Sequence, residues 1–229
     1  VDHDGERLVE VDLVRREMQA ETLHPYGANL DPAGVVDARI VARDRIACPG
    51  PLRLARGEVL FESDFVELCR KVHDENMRII IDGVFNHMGA ASKWFNKNKF
   101  FKGGAYSDTG SQYRDFFTFS NNHDYLGWSD SKNLPELKLE NEKLREILFT
   151  GEDSVIKKWI KLGADGWRLD VAFDLGPEFL KEISDSAKEV KKDAVIIGEI
   201  WNFPGSWNKK AKIDGLMNLV SELVISQER

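Results

Sequence analysis

The feature that most constrains this chain is an alternation of short β-branched runs with helical stripes after residue 58. Ile79-Ile80-Ile81 sits inside a stretch over 78–85 that reads as a strand buried on both faces. Further strands are expected over 166–171 and 194–199. Between them the apolar residues fall at helical spacing. Phe65, Leu68, Cys69 and Val72 follow a capping Ser63; Val155, Ile156, Trp159 and Ile160 make a second stripe; Phe179, Leu180, Ile183 and Ala187 follow Pro177 at a first-turn position. Strands alternating with helices imply a parallel sheet with helical crossovers, so the fold class is α/β. Residues 89–134 interrupt the alternation. They lack periodicity but are rich in Asn, Ser, Gly and aromatics, which predicts an ordered excursion.

Residues 1–57 differ in composition. They hold eight Arg, no Lys and one aromatic, Tyr26, whereas 58–229 hold six Arg, eighteen Lys and every other aromatic. Arg and Lys do similar surface work, so folding does not require the switch, and a different origin for 1–57 is expected. Leu8 to Leu13 and Val35 to Val41 alternate loosely, and Gly27, Pro32-Ala33-Gly34 and Pro49-Gly50-Pro51 punctuate them as turns. A small β-rich segment is expected there, otherwise unassigned.

Composition excludes several classes. A net charge of −7 disfavours non-specific nucleic-acid binding. No apolar run approaches the roughly 20 residues that span a bilayer. Cys48 and Cys69 are too few for a disulfide framework or a thiolate metal site. No basic start followed by an apolar stretch is visible, so the expected location is cytoplasmic, although a processed secreted chain would look the same.

Each expected strand ends in polar residues: Asp82 with Asn86-His87, then Arg168 and Asp170, then Glu199 with Trp201. In a parallel barrel the C-terminal strand ends share one mouth, where activity resides. Asp82, His87, Arg168, Asp170 and Glu199 could therefore converge. Two carboxylates, an Arg and a His in one cleft suit glycosidic-bond cleavage. A strand-end Asp can instead cap the following helix, and a lone His can be a satisfied core residue; the grouping is what favours chemistry.

The motifs sharpen this. Asp82-Gly83-Val84-Phe85-Asn86-His87 resembles the first conserved region of the α-amylase superfamily, Gly166-Trp167-Arg168-Leu169-Asp170-Val171-Ala172 the second, and Gly198-Glu199-Ile200-Trp201 the third. Leu134-Pro135-Glu136-Leu137 resembles the extra motif between the first two, in its cyclomaltodextrinase and neopullulanase form. Residues 207–218 resemble the segment after the third region in that subgroup. The resemblance implies a (β/α)8 barrel of which this chain supplies a part, and a retaining hydrolase of α-1,4 and/or α-1,6 bonds in maltodextrin, cyclodextrin or pullulan-type glucans. It implies that Asp170 is the nucleophile and Glu199 the acid and base, about 5–5.5 Å apart. Arg168 would hold Asp170 ionised, and Glu199 in a drier spot would keep its proton. His87 would bind sugar hydroxyls, Asp82 would support the site, and Trp201 would wall the cleft. Asn86 matches a calcium ligand of many amylases, so Ca2+ is possible, but no cofactor is required.

The family's third acid, an Asp preceded by a His in a fourth region, has no counterpart here; His123-Asp124 lies in the excursion. Three expected strands do not close a barrel of eight. The chain therefore reads as truncated. It is expected to be an α-glucan hydrolase completed by a homo-oligomer or a complementing chain, an inactive chimeric fragment, or a non-enzymatic glucan-binding or interaction module.

Overall fold

The structure is a computed structural model. It describes residues 7–12, 39–41, 62–200 and 210–217. Six strands form one sheet in the order β2-β1-β3-β4-β5-β6. β1 is Arg7–Asp12 and β2 is Arg39–Val41, paired antiparallel. β1 then runs parallel to β3, Met77–Gly83, so a strand from the Lys-free segment extends the same sheet. β4, Gly166–Leu169, β5, Val195–Glu199, and β6, Gly215–Met217, continue in parallel. Helices α1, Glu62–Asp74, α3, Val155–Lys161, and α4, Ala172–Val190, lie between the strands in sequence. This is a partial α/β barrel core.

Two details differ from the sequence expectation. The strands end earlier, at Gly83 and Leu169, because the residues after them turn away as loops. A further strand, β6, lies within 207–218. It is three residues long and has no β-branched residue, so it leaves no periodic trace.

The pleat sorts side chains by period two. Ile79, Ile81, Trp167, Leu169 and Ile196 point to the helix-covered face and are almost fully buried. They pack with Phe65, Leu68, Cys69 and Val72 of α1, Ile156, Trp159 and Ile160 of α3, and Leu180, Ile183 and Ala187 of α4. Phe65 meets Trp159 edge-on at 4.9 Å. Each such aliphatic side chain contributes about 1.5–3 kcal/mol of transfer free energy. The opposite face carries Ile80 and Asp82, Gly166 and Arg168, Val195, Ile197 and Glu199, and Met217, matched across the strands by register. That face holds the chemistry.

The strand entries are pinned by carboxylates. The Asp165 carboxylate accepts the Ile79 N–H at 2.8 Å, and the Asp214 carboxylate accepts the Ile196 N–H at 2.8 Å. Asp165 is buried and also binds His73 at 2.8 Å and Lys191. Burial raises its pKa, but Lys191, the Ile79 amide and His73 outweigh burial and leave it below the usual carboxylate range.

The excursion over 89–134 packs on its own aromatics. Phe95, fully buried, meets Phe117 at 4.9 Å and Tyr125 at 4.6 Å. Asn96 is also fully buried. Its amide donates to the carbonyls of Phe101 at 2.7 Å and Gly103 at 2.5 Å, and it accepts the Phe101 N–H at 3.2 Å. Asn141 caps the short α2, Glu142–Arg145, which runs into a π-turn at Glu146–Thr150. Among the described residues no helix is long and apolar enough to cross a membrane.

Candidate active site

Register brings the site together. Asp82 and Arg168 are Cα partners on β3 and β4, and Arg168 pairs with Ile197 on β5, two residues before Glu199. Side chains two apart on a strand share a face, so Arg168 lies between the carboxylates. Its Nη1 is 2.5 Å from Asp82 Oδ1 and 2.8 Å from Asp170 Oδ1; its Nη2 is 2.6 Å from Glu199 Oε2. One guanidinium thus joins three carboxylates from adjacent strands. The Arg168 side chain is 12% exposed and the three acids 11–23%, so these are desolvated pairs rather than surface ones.

The turn after β4 completes the arrangement. Val171 adopts φ 40 and ψ 45, a left-handed conformation that a β-branched residue rarely takes. It directs the Val171 N–H at Glu199 Oε2, 3.4 Å away, and starts α4 one residue later. Asp170 therefore sits on a strained turn, with Glu199 held to the next residue's amide.

The electrostatics follow from one cation among buried acids. Arg168 lowers the Asp170 pKa but does not offset burial. Burial raises the Asp170 pKa, Arg168 opposes it, and Glu199 pushes it up again; the net direction is upward. Burial is the largest cause, and one cation shared among three acids does not offset it. Burial works against the Arg168 charge, yet Asp82, then Asp170 and Glu199, keep it firmly protonated. Glu199 is paired with Arg168, its side chain 19% exposed.

His87 is buried and close by in sequence. The 86–88 segment pairs with 135–137: Leu137 N–H donates to Asn86 O at 2.9 Å and Met88 N–H to Pro135 O at 3.1 Å. The first motif and the extra motif are thus one paired structure. Burial lowers the His87 pKa, with Asp174 opposing, so the imidazole is neutral at neutral pH. Asn86 is buried with its Nδ2 unpartnered. Among the described residues no group of three or more His, Cys, Asp or Glu is placed to hold a metal. Trp201 lies outside the described residues. His123 and Asp124 are exposed in the excursion, where Asp124 pairs with Lys132 at 2.9 Å.

A model of the family described as "Alpha amylase, catalytic domain" matches residues 61–219. The chain belongs to the α-amylase catalytic-domain family. Among individual relatives, Neopullulanase 2 of Thermoactinomyces vulgaris is 32% identical over 171 residues, covering 70% of this chain and 27% of that protein. Cyclomaltodextrinase of Thermoanaerobacter pseudethanolicus is 30% identical over 161 residues, covering 66% and 26%. The solved structure of cyclic α-maltosyl-(1→6)-maltose hydrolase from Arthrobacter globiformis in complex with maltose superimposes with a TM-score of 0.63 at 25% identity, covering 73% of this chain and 38% of that one. The chain spans about a quarter of the length of the curated relatives it matches. As an α-amylase-family sheet, it carries its polar cluster where side chains at C-terminal strand ends meet.

Three residues near the site carried no sequence signal as individuals. Trp128 stacks on His87 with ring centroids 4.9 Å apart and 19° between planes. Its indole N–H donates to Asp174 at 2.8 Å. The Glu136 pKa is raised by burial and then by Asp174. Trp128 lies in the aperiodic excursion. Asp174 was findable as the residue one helical turn after Asp170, and Glu136 as the acid inside the extra motif.

Proposed function

We propose that this chain carries the catalytic carboxylates of a retaining α-glucan hydrolase. The observation that supports this best is the Arg168 guanidinium bridging Asp82, Asp170 and Glu199 across adjacent strands. Asp170 attacks the anomeric carbon while Glu199 gives its proton to the departing glycosidic oxygen, so the C–O bond breaks and a glycosyl–Asp170 ester forms. Glu199, now a carboxylate, then takes a proton from water. That water attacks the same carbon and releases Asp170. Neutral His87 hydrogen-bonds a hydroxyl of the sugar at the cleavage point, and Asp82 anchors Arg168.

The substrate is an α-glucan oligosaccharide of maltodextrin, cyclodextrin or pullulan type, a range supported by the names of the relatives above. Turnover is proposed to require the rest of the barrel. No metal-dependent step is invoked. A cytoplasmic location fits the free, buried Cys69.

The test is release of chromophore from a nitrophenyl maltoside, run with sedimentation mass on the same sample. A rate lost by at least about 10³-fold in Asp170→Asn and Glu199→Gln supports the proposal. Maltodextrin binding without turnover would make the chain a glucan-binding module, and neither binding nor turnover an inactive fragment.

A further inference from the structure

We propose that Trp128 and Asp174 are positioning residues that set the orientation of the His87 imidazole. What His87 recognises rests on the glycosidase reading above; the positioning rests on geometry alone.

A buried imidazole is ordinarily oriented by a hydrogen bond at one ring nitrogen. His87 is 6% exposed, and its Nδ1 is buried without a partner among the described residues. The Trp128 ring face is what fixes its plane. Trp128 is itself fixed twice. Its backbone N–H donates to Leu134 O at 2.9 Å, and the Ser131 N–H donates to Trp128 O at 3.0 Å. The turn needs two left-handed residues, Ser129 at φ 52 and Asp130 at φ 59. It also needs Gly127, where a Cβ would lie 2.1 Å from Ser131 O. The indole N–H then fixes the ring by bonding Asp174 Oδ2.

Asp174 stands in the first turn of α4, and its N–H donates to Val171 O at 2.9 Å. That helix starts at the same left-handed Val171 whose amide reaches Glu199. The turn carrying Asp170 therefore also sets Asp174, which sets Trp128, which sets His87. A substrate-binding residue on the β3 loop is thereby tied to the nucleophile's turn through the 89–134 excursion, whose buried aromatics share one core with β3 and β4.

The readout is the His87 Cε1–H proton resonance in the full chain, which carries the ring-current shift of the stacked Trp128. In Asp174→Ala and Trp128→Leu the shift should collapse. In Asp174→Asn it should persist, because the amide oxygen still accepts the indole N–H. In parallel, maltodextrin affinity or kcat/KM should fall about tenfold or more in Asp174→Ala and less than about twofold in Asp174→Asn. An unchanged His87 resonance in Asp174→Ala would overturn the proposal, as would Asp174→Asn behaving like Asp174→Ala. Trp128→Phe keeps the ring face and removes the N–H. It should lose part of the shift, and it decides the matter if Asp174→Ala does not fold. If the wild-type chain neither binds nor cleaves glucans, the glycosidase reading fails, while the resonance still decides the positioning.

Discussion

Replacing Arg168 with Leu removes one cation from among three desolvated carboxylates. Breaking a buried pair by deleting one partner costs about 3–5 kcal/mol, because the remaining charge is stranded. The Arg168 side chain is only 12% exposed, so little of this is screened. For a domain of this size, 3 kcal/mol corresponds to a fall in Tm of about 6–12 °C. The cost depends on pH, and its sign follows from Asp170. That pKa is already raised in the folded state, so the native chain holds a proton that the unfolded chain releases. Such a group contributes stability below the unfolded carboxylate range and loses it as pH rises through the folded value. Removing Arg168 removes the term that lowers the Asp170 pKa and moves that loss to higher pH. Urea unfolding of wild type and Arg168→Leu at pH 4.5 and 7.5 checks this. The difference should be small at the acidic pH and several kcal/mol at the higher one. Equal destabilisation at both, or less than about 1 kcal/mol at pH 7.5, would refute the argument that Arg168 compensates charge on the three acids.

Gly166→Ala should destabilise by about 3 kcal/mol, since the new Cβ would sit 1.9 Å from Val195 O and force β4 from β5; a Tm within a degree of wild type would contradict the register. Cys69 is buried and its thiol pKa is pushed up to about 12, by burial first and then by Asp165, so a disulfide reagent at pH 8 should label it only at the rate of unfolding. Fast labelling of the native chain at Cys69, read by peptide mass, would show the α1 packing to be wrong. If Asn86 ligates calcium, excess EDTA should lower the Tm by several degrees, and an unchanged Tm would refute that ligand.

Much of this was legible in the sequence because the relevant signals are local. Ile79-Ile80-Ile81 and the stripes at Phe65, Leu68 and Val72 or Ile156, Trp159 and Ile160 each bury one face, and burial imposes the period that can be read. Asp82, Arg168, Asp170 and Glu199 were readable because strand ends in a parallel sheet must meet. β6 was not, since Gly215-Leu216-Met217 is held by the Asp214–Ile196 bonds rather than by any β-branched run. Nor was Trp128 over His87, which depends on two left-handed residues with no glycine at either position. The sharing of charge was less legible for a related reason. The Arg-x-Asp spacing shows that a cation stands beside Asp170, but only the assembled sheet shows that the cation is shared with Asp82 and Glu199.

That sharing bears on the chemistry. If Asp82, Asp170 and Glu199 were all ionised, the buried cluster would carry two uncompensated negative charges around Arg168, an expensive state in a desolvated site. The cheaper state keeps one proton among them. Asp82 and Asp170 share one guanidinium nitrogen while Glu199 takes the other, and burial, with Glu199 adding to it, pushes the Asp170 pKa up. Double displacement needs one ionised nucleophile and one protonated acid, which is one proton for two carboxyls. The resting site instead holds Glu199 on the arginine, 2.6 Å from Arg168 Nη2. A sugar entering between the carboxyls would separate them, leave Arg168 with Asp170, and strand Glu199 where its proton is favoured. On this argument the bond from Arg168 to Glu199 is the one that substrate must replace. Glu199→Gln, which keeps the shape and removes the charge, should therefore bind maltodextrin at least as tightly as wild type while losing turnover; weaker binding by Glu199→Gln would refute it.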